Sequence, residues 1–136
     1  MKQINCAVIG MGVGERHANF YKKFKGTRLK KIFEKDKILV KKLKKKFPLT
    51  NFVNNENEIF EDPKIDLVSI ASYDNYHSRQ IFKAFKHNKH IFVEKPICLK
   101  LKELRKIWFY HKKNKKIKIS SNLLLRSSPQ FKKIKL

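Results

Sequence analysis

The chain has 136 residues, of which 41% are apolar, enough to form the core of one domain but not of several. Its formal net charge of +23 favours polyanions, but the lysines are spread from Lys22 to Lys135 instead of being gathered with aromatic residues, which argues against a dedicated nucleic-acid interface. Two isolated cysteines exclude a disulfide framework and a cysteine-based metal site, and no apolar run approaches about 18 residues, so we expect a cytoplasmic protein without a membrane partner.

Apolar patterns alternate between strand and helix periods along the whole chain. The first half predicts a strand over Ile4–Ile9, a helix with His17, Tyr21 and Phe24, a strand over Thr27–Glu34, a helix with Ile38, Leu39, Leu43 and Phe47, and a strand over Asn51–Val53. The second half predicts a strand over Ile65–Ala71, a helix with Ile81, Phe82 and Phe85, a strand over His90–Val93, a helix with Leu101, Leu104, Ile107 and Trp108, and a strand over Ile117–Leu124. This alternation predicts an α/β fold with a doubly wound parallel sheet.

A glycine-rich segment follows the first predicted strand. It reads Gly10-Met11-Gly12-Val13-Gly14 and leads into the first helix. The pyrophosphate of a dinucleotide needs close backbone approach and free amides at a helix start, and glycines between strand and helix allow both. Glycines at a buried strand end also serve simple tight turns, so the loop alone leaves both interpretations open.

Glu34 supplies the second indication of a dinucleotide site. It lies at the predicted end of strand two, 20 residues after Gly14, where a carboxylate can accept both hydroxyls of the adenosine ribose. This favours NAD. Lys35 and Lys37 follow directly and could neutralise a 2′-phosphate, which leaves NADP open, and Glu34 could also be a solvated strand end.

Four segments of the chain together resemble a known family. They are Gly10 to His17, Ile70-Ala71-Ser72 with His77, Lys89 to Pro96 with its Glu94-Lys95-Pro96 motif, and Asn122 with Arg126 and Pro129. In this order and spacing they resemble the N-terminal, Rossmann half of the Gfo/Idh/MocA oxidoreductases. The glycine spacing is one residue tighter than the common Gly-x-Gly-x-x-Gly. The pattern therefore leaves open whether Gly14 has the helix-packing role of the third glycine.

The resemblance implies hydride transfer between a nicotinamide dinucleotide and a hydroxyl carbon of a sugar, cyclitol or related polyol. It implies that Gly10, Gly12 and the amides of Met11 and Val13 hold the pyrophosphate. It also implies that Glu34 binds the adenosine ribose and that Ser72 and His77 lie along the nicotinamide side of the coenzyme. Glu94 would contact the nicotinamide ribose, and Lys95 would lie beside the reacting carbon. No metal is implied.

Lys95 is the predicted catalytic residue. A lysine just past the carboxyl end of a parallel strand projects into the crevice where open sheets bind ligands, and Pro96 restricts its backbone. It can hydrogen-bond the reacting hydroxyl and assist proton transfer. One lysine among many could also be merely solvated, His77 could be a polar cap, and His17 fits a packed, hydrogen-bonded histidine.

The resemblance also divides the chain. Residues 1–122 correspond to the dinucleotide-binding domain and 123–136 to the start of a connection to a second, substrate-binding domain, which the chain lacks. The principal acid–base residue and most substrate contacts belong to that domain, so we expect an incomplete site in this chain alone.

Three accounts fit such a chain: the coenzyme half of an enzyme whose remainder was lost or is encoded separately, a frame-shifted or truncated gene product, or a binding module that uses the nucleotide site without chemistry. The last apolar residues, Leu123 to Leu125 with Phe131, Ile134 and Leu136, would favour self-association or a partner chain. A basic nucleic-acid binder on a Rossmann scaffold is the alternative from a different class.

Overall fold

A six-stranded parallel sheet flanked by helices forms the centre of the computed structural model, which describes residues 3–123 and 128–134. The strands are β1 (Ile4–Ile9), β2 (Thr27–Phe33), β3 (Asn51–Val53), β4 (Leu67–Ile70), β5 (His90–Val93) and β6 (Ile119–Ser121). The helices are α1 (Gly14–Lys23), α2 (Lys37–Lys46), α3 (Asn57–Phe60), α4 (Asp74–Lys86), α5 (Leu101–Lys113) and α6 (Pro129–Ile134).

The strand order is β3-β2-β1-β4-β5-β6, and each neighbouring pair is parallel. The chain moves outward from β1 to β3 and then returns to the other side of β1 at β4. This reversal creates a crevice beyond the carboxyl ends of β1 and β4, the place where open α/β sheets bind ligands. The predicted doubly wound sheet is confirmed.

Side chains of β1 pack into a hydrophobic core on each face of the sheet. Ala7 and Ile9 pack into one cluster of buried residues, while Cys6 and Val8 pack into the other. Since successive strand residues point to opposite faces, a strand covered on both sides must be apolar throughout. This explains the unbroken apolar run that marks β1 in the sequence.

The predicted helices form, but not every predicted stripe is buried. In α2, Leu43 is buried while Ile38 is exposed, and in α5 only Ile107 of the predicted apolar residues is buried. The short helices α3 and α6 were not predicted. The predicted apolar tail lies outside the described side chains except for Leu123, which is exposed.

Lys89 connects the turn before β5 to the loop before β4. Its side chain is almost fully buried, and its ammonium donates hydrogen bonds to the carbonyls of Asp62 (2.6 Å) and Ile65 (2.8 Å). Burial lowers the pKa of this lysine, against the opposing charges of Asp62 and Asp66. Its role in the described fold is therefore to satisfy two carbonyl groups that have little access to water.

We expect Lys89→Met to lower the free energy of unfolding by about 2–4 kcal/mol, because two carbonyls would lose their donor. Urea unfolding followed by circular dichroism measures this. Lys86→Met, at an exposed position of the same helix and turn region, is the control and should change stability by less than about 0.5 kcal/mol. Equal effects of the two changes would contradict a structural role for the Lys89 ammonium.

Candidate active site

A cleft of about 380 Å³ lies at the carboxyl ends of β1, β2 and β4. Six of the residues selected from the sequence line it: Gly10, Met11, Gly12, Val13, Glu34 and Ser72. Gly14, His77, Glu94 and Lys95 do not. The structure thus gathers the predicted pyrophosphate and adenosine-ribose residues and Ser72 around one cavity, and places His77, Glu94 and Lys95 outside its lining.

Gly10 directly follows β1 and has a backbone conformation that L-amino acids rarely adopt. Its φ is +83°, and a Cβ added there would lie 2.5 Å from the carbonyl oxygen of Ala71. Only glycine allows the loop after β1 to pass this close to the loop after β4. At Gly12, by contrast, an added Cβ would meet no heavy atom within 4 Å, so this glycine faces open space in the cleft.

Gly14 is buried and begins α1. An added Cβ would lie 2.9 Å from a methyl group of Val8 and 3.1 Å from the Cβ of Ala71. The third glycine therefore allows close helix–strand packing, although the spacing of the loop is one residue tighter than the common pattern. Its role in the described structure is packing against β1 and β4.

The carboxylate of Glu34 is fixed by two backbone groups. The Met11 N–H donates to Oε2 at 2.6 Å, and the Asp36 N–H donates to Oε1 at 3.0 Å. Met11 therefore has its amide engaged and its side chain buried. Among the described residues, no hydrogen bond uses the amides of Gly12 or Val13, and these two remain available to an anion.

Tyr76, Lys35 and Arg79 form the other end of the cleft. Of these three residues, only Lys35 was a candidate from the sequence. The Lys35 ammonium lies 4.2 Å from the centre of the Tyr76 ring, and the Arg79 guanidinium carbon lies 5.1 Å from it. Their spacing on α4 places Tyr76 and Arg79 on one helix face. No sequence motif marks that face as part of a site, because it meets Lys35 only in the folded chain.

Glu56 organises a polar network along the same wall. Ser72 donates its hydroxyl hydrogen to Gln80 Oε1 (2.6 Å), and Gln80 Nε2 donates to Glu56 Oε2 (2.6 Å). Lys83 (2.8 Å) and Arg79 (3.1 Å) donate to the other oxygen of Glu56. Burial raises the pKa of Glu56, but the hydrogen bonds from Lys83 and Gln80 and the two nearby positive charges outweigh it and hold that pKa below its ordinary value.

We expect Glu56→Gln to lower the free energy of unfolding by about 1–3 kcal/mol at neutral pH, because it weakens charge-assisted hydrogen bonds to a buried group. A carboxyl with a depressed pKa in the folded state stabilises the fold above its unfolded pKa. This contribution is lost as the pH falls through the folded value, so the difference between parent and variant should shrink in acid.

Urea unfolding across the acid range tests this, with the exposed Glu61→Gln as the control. If the difference in the free energy of unfolding between the parent and Glu56→Gln stays constant down to the lowest pH at which the chain folds, the depressed pKa of Glu56 does not contribute to stability.

His77 is fully buried in the first turn of α4 and joins two loops. Its Nε2 lies 3.0 Å from the carbonyl oxygen of Ser72, and its Nδ1 lies 2.7 Å from that of Pro96. The peptide bond between Lys95 and Pro96 is cis. Both ring nitrogens are thus engaged with backbone, and His77 supports the loops on either side of it.

Glu94 directly follows β5 and lies in a second buried network. His17 Nε2 lies 3.0 Å from Glu94 Oε1, and Asn122 Nδ2 donates to the same oxygen at 2.6 Å. His17 Nδ1 lies 2.8 Å from Ser69 Oγ. Burial lowers the pKa of His17 against the opposing charge and hydrogen bond of Glu94. The next residue, Lys95, has an exposed side chain.

The described part of the chain carries neither a metal-type cluster nor a membrane-length helix. No three His, Cys, Asp or Glu side chains of residues 3–123 and 128–134 are placed to hold a metal ion. Within the same residues, no helix is both long and apolar enough to cross a bilayer.

Comparison of the sequence with known families and proteins gives consistent matches. The model of an oxidoreductase family with an NAD-binding Rossmann fold, GFO_IDH_MocA, matches residues 4–122. The chain is 34% identical over 103 residues to scyllo-inositol 2-dehydrogenase (NAD(+)) of Bacillus subtilis, covering 74% of this chain and 30% of that protein. It is 30% identical over 102 residues to myo-inositol 2-dehydrogenase of Thermotoga maritima, again 74% and 30%.

Solved structures give the same fold. A scyllo-inositol dehydrogenase from Lactobacillus casei, with bound cofactor NAD(H) and scyllo-inositol, superposes with a TM-score of 0.88 over 98% of this chain and 40% of that one, at 22% identity. A putative oxidoreductase from Bacteroides fragilis superposes with a TM-score of 0.79 at 29% identity, over 88% and 35%. The chain therefore spans about a third of the length of the relatives that it matches.

Proposed function

This chain belongs to the Gfo/Idh/MocA oxidoreductase family, and we propose that it is the coenzyme-binding part of an NAD-dependent polyol dehydrogenase. The reaction is hydride transfer between the coenzyme and a hydroxyl-bearing carbon of a cyclitol, sugar or related polyol. The inositol dehydrogenases among the relatives support the cyclitol class. This chain spans about a third of the length of these relatives, so activity and substrate are proposed for a complete enzyme of this kind and not for this chain alone.

One arrangement carries the proposal: the unused amides of Gly12 and Val13 face the same cleft as the fixed carboxylate of Glu34. An anionic pyrophosphate fits the amides at the start of α1, and a ribose diol fits the carboxylate. Met11 contributes through its amide, which holds Glu34 in place. Gly10 and Gly14 contribute by allowing the loop to lie close to β4.

For the chemical step we assign Lys95 as the residue that contacts the reacting hydroxyl and takes or returns its proton. The bound coenzyme would supply the hydride acceptor or donor. Glu94 would accept a hydrogen bond from the nicotinamide ribose, since its Oε2 contacts only the Lys95 amide among the described residues (3.3 Å). Ser72 lies in the wall of the cleft, and we assign His77 an indirect role on the nicotinamide side.

We also propose the boundary suggested by the sequence, with the coenzyme domain over residues 1–122 and a connecting segment from 123. The family match ends at residue 122. A substrate domain supplied by further sequence or by a partner chain would complete the site.

Titration with NADH, followed by its fluorescence and by calorimetry, tests the coenzyme assignment. We expect saturable binding with one site per chain. Raising the salt concentration should weaken NADH binding much less than it weakens binding of a DNA or RNA oligonucleotide, whose affinity depends on many phosphate contacts. A folded chain that gives no saturable NADH signal would refute the proposal, and steeply salt-dependent oligonucleotide binding alone would favour the nucleic-acid alternative.

We expect NADH to bind at least about tenfold more tightly than NADPH, because a 2′-phosphate would face the Glu34 carboxylate. Two backbone N–H groups hold that carboxylate in place. Competitive titration measures the ratio, and Glu34→Gln should narrow it. Lys35→Met is the control, because it will lose NADPH affinity if Lys35 neutralises the 2′-phosphate. Equal affinities of the parent chain for NADH and NADPH would contradict the NAD assignment.

A further inference from the structure

The outward face of α5 carries large apolar side chains that the fold leaves uncovered. Leu101 is 63% exposed, Trp108 60% and Phe109 53%, and Leu99 and Leu104 are also exposed. The residue spacing brings Leu101, Leu104 and Trp108 onto one exposed side of the helix, adjacent to the line along which Ile107 is buried. We call this surface, with residues 99, 101, 104, 108 and 109, the α5 apolar face.

Positive charge surrounds the α5 apolar face. The cations within and beside the helix are Lys100, Lys102, Arg105, Lys106, Lys112 and Lys113, and the helix has one acidic residue, Glu103. Lys112 lies over the Trp108 ring (5.2 Å) and Lys113 over the Phe109 ring (4.4 Å). The apolar side chains and the ammonium groups therefore form a single mixed surface.

The positive charge of the α5 apolar face favours one kind of binding partner. A second copy of the chain would bring two strongly positive helices together, so self-association through this face is electrostatically unfavourable. A polyanion would satisfy the lysines, but base stacking and phosphate contact use aromatic rings and cations and gain little from three leucines. An anionic lipid surface can contact every kind of side chain on this face. Its phosphates pair with the lysines, Trp lies at the interface, and Leu and Phe enter the boundary of the acyl chains.

We propose that the α5 apolar face docks the protein on anionic lipid bilayers as a peripheral, interfacial contact. This departs from the sequence-based expectation of no membrane partner, which rested on the lack of a membrane-length apolar run. The helix would lie in the plane of the surface, with Leu101, Trp108 and Phe109 at the boundary between headgroups and acyl chains. The cleft opens at the carboxyl ends of the strands and shares no residue with this face. The proposed lipid contact and the coenzyme cleft therefore do not overlap.

Trp108 is the single tryptophan of the chain, so its emission reports the contact without a label. We expect a blue shift and quenching by brominated lipid when the chain meets phosphatidylcholine–phosphatidylserine vesicles, and much weaker changes with phosphatidylcholine alone. The double change Leu101→Ala with Leu104→Ala keeps the probe and should weaken partitioning about tenfold. Ile38→Ala with Leu49→Ala, at exposed apolar positions elsewhere, should leave it unchanged.

Charge is tested by a second matched pair. Lys112→Gln with Lys113→Gln should reduce partitioning into the mixed vesicles more than Lys44→Gln with Lys45→Gln, which removes the same charge from α2. Unchanged emission with mixed vesicles would overturn the proposal, as would equal partitioning of the Leu101, Leu104 variant and the parent. Emission changes with an oligonucleotide but not with vesicles would also overturn it and identify a nucleic-acid surface instead.

Discussion

A Gly12→Asp chain is expected to fold as the parent does and to bind NADH at least about a hundredfold more weakly. The position has room for a side chain, since no heavy atom lies within 4 Å of an added Cβ. A carboxylate there would face the pyrophosphate from the same loop whose amides are meant to hold it, and two like charges about 4 Å apart repel by several kcal/mol in partly buried surroundings.

NADH titration measures the loss, and circular dichroism with urea unfolding shows whether the fold is kept. Gly12→Asn is the matched control, because it has the same shape without the charge and should retain more of the affinity. If Gly12→Asp bound NADH as the parent does, the diphosphate would lie elsewhere and the assignment of this loop would be wrong. Oligonucleotide binding through the lysine surface should hardly change.

The second large effect is expected at Gly10. Gly10→Ala should lower the free energy of unfolding by about 3 kcal/mol or more, because it adds the cost of a positive φ to that of a steric clash. The clash is with backbone, since the added Cβ would lie 2.5 Å from the Ala71 carbonyl oxygen. A flexible side chain could move aside, whereas this carbonyl belongs to the segment that follows β4.

Urea unfolding of Gly10→Ala and Gly12→Ala gives the comparison within one loop. The Gly12 variant should differ from the parent by less than about 1 kcal/mol, since its new methyl group meets open space. Similar losses at the two positions would show that general glycine entropy, and not the contact with Ala71, determines the cost.

The features predicted from sequence are those encoded locally. β1, β3 and β5 have the predicted bounds, because short apolar runs between turn residues are typical of buried strands. The place of the glycine loop and of Glu34 at one cleft follows from strand order, since β1 and β2 are neighbours whose ends meet at one edge. The strand bounds follow from the periodic pattern, and the shared cleft follows from the doubly wound order that the alternation of strands and helices predicts.

Other residues depend on contacts between distant segments, and no local pattern marks them. Glu56 looks like part of an acidic stretch until α4 brings Gln80 and Lys83 to it. Leu101, Leu104 and Trp108 have a helical spacing typical of a core stripe, but the neighbouring α4 covers only the opposite side, where Tyr110 packs near Phe82 and Phe85. Periodicity indicates that a face is apolar, and only the tertiary structure shows whether it is covered.

His77 joins the two segments that the proposed function needs. Its imidazole contacts the carbonyl of Ser72, in the cleft wall, and the carbonyl of Pro96, next to Lys95. If the proposed coenzyme displaces the first segment, the displacement reaches the second through this one ring. On the proposed assignment, coenzyme binding would then also determine where Lys95 lies.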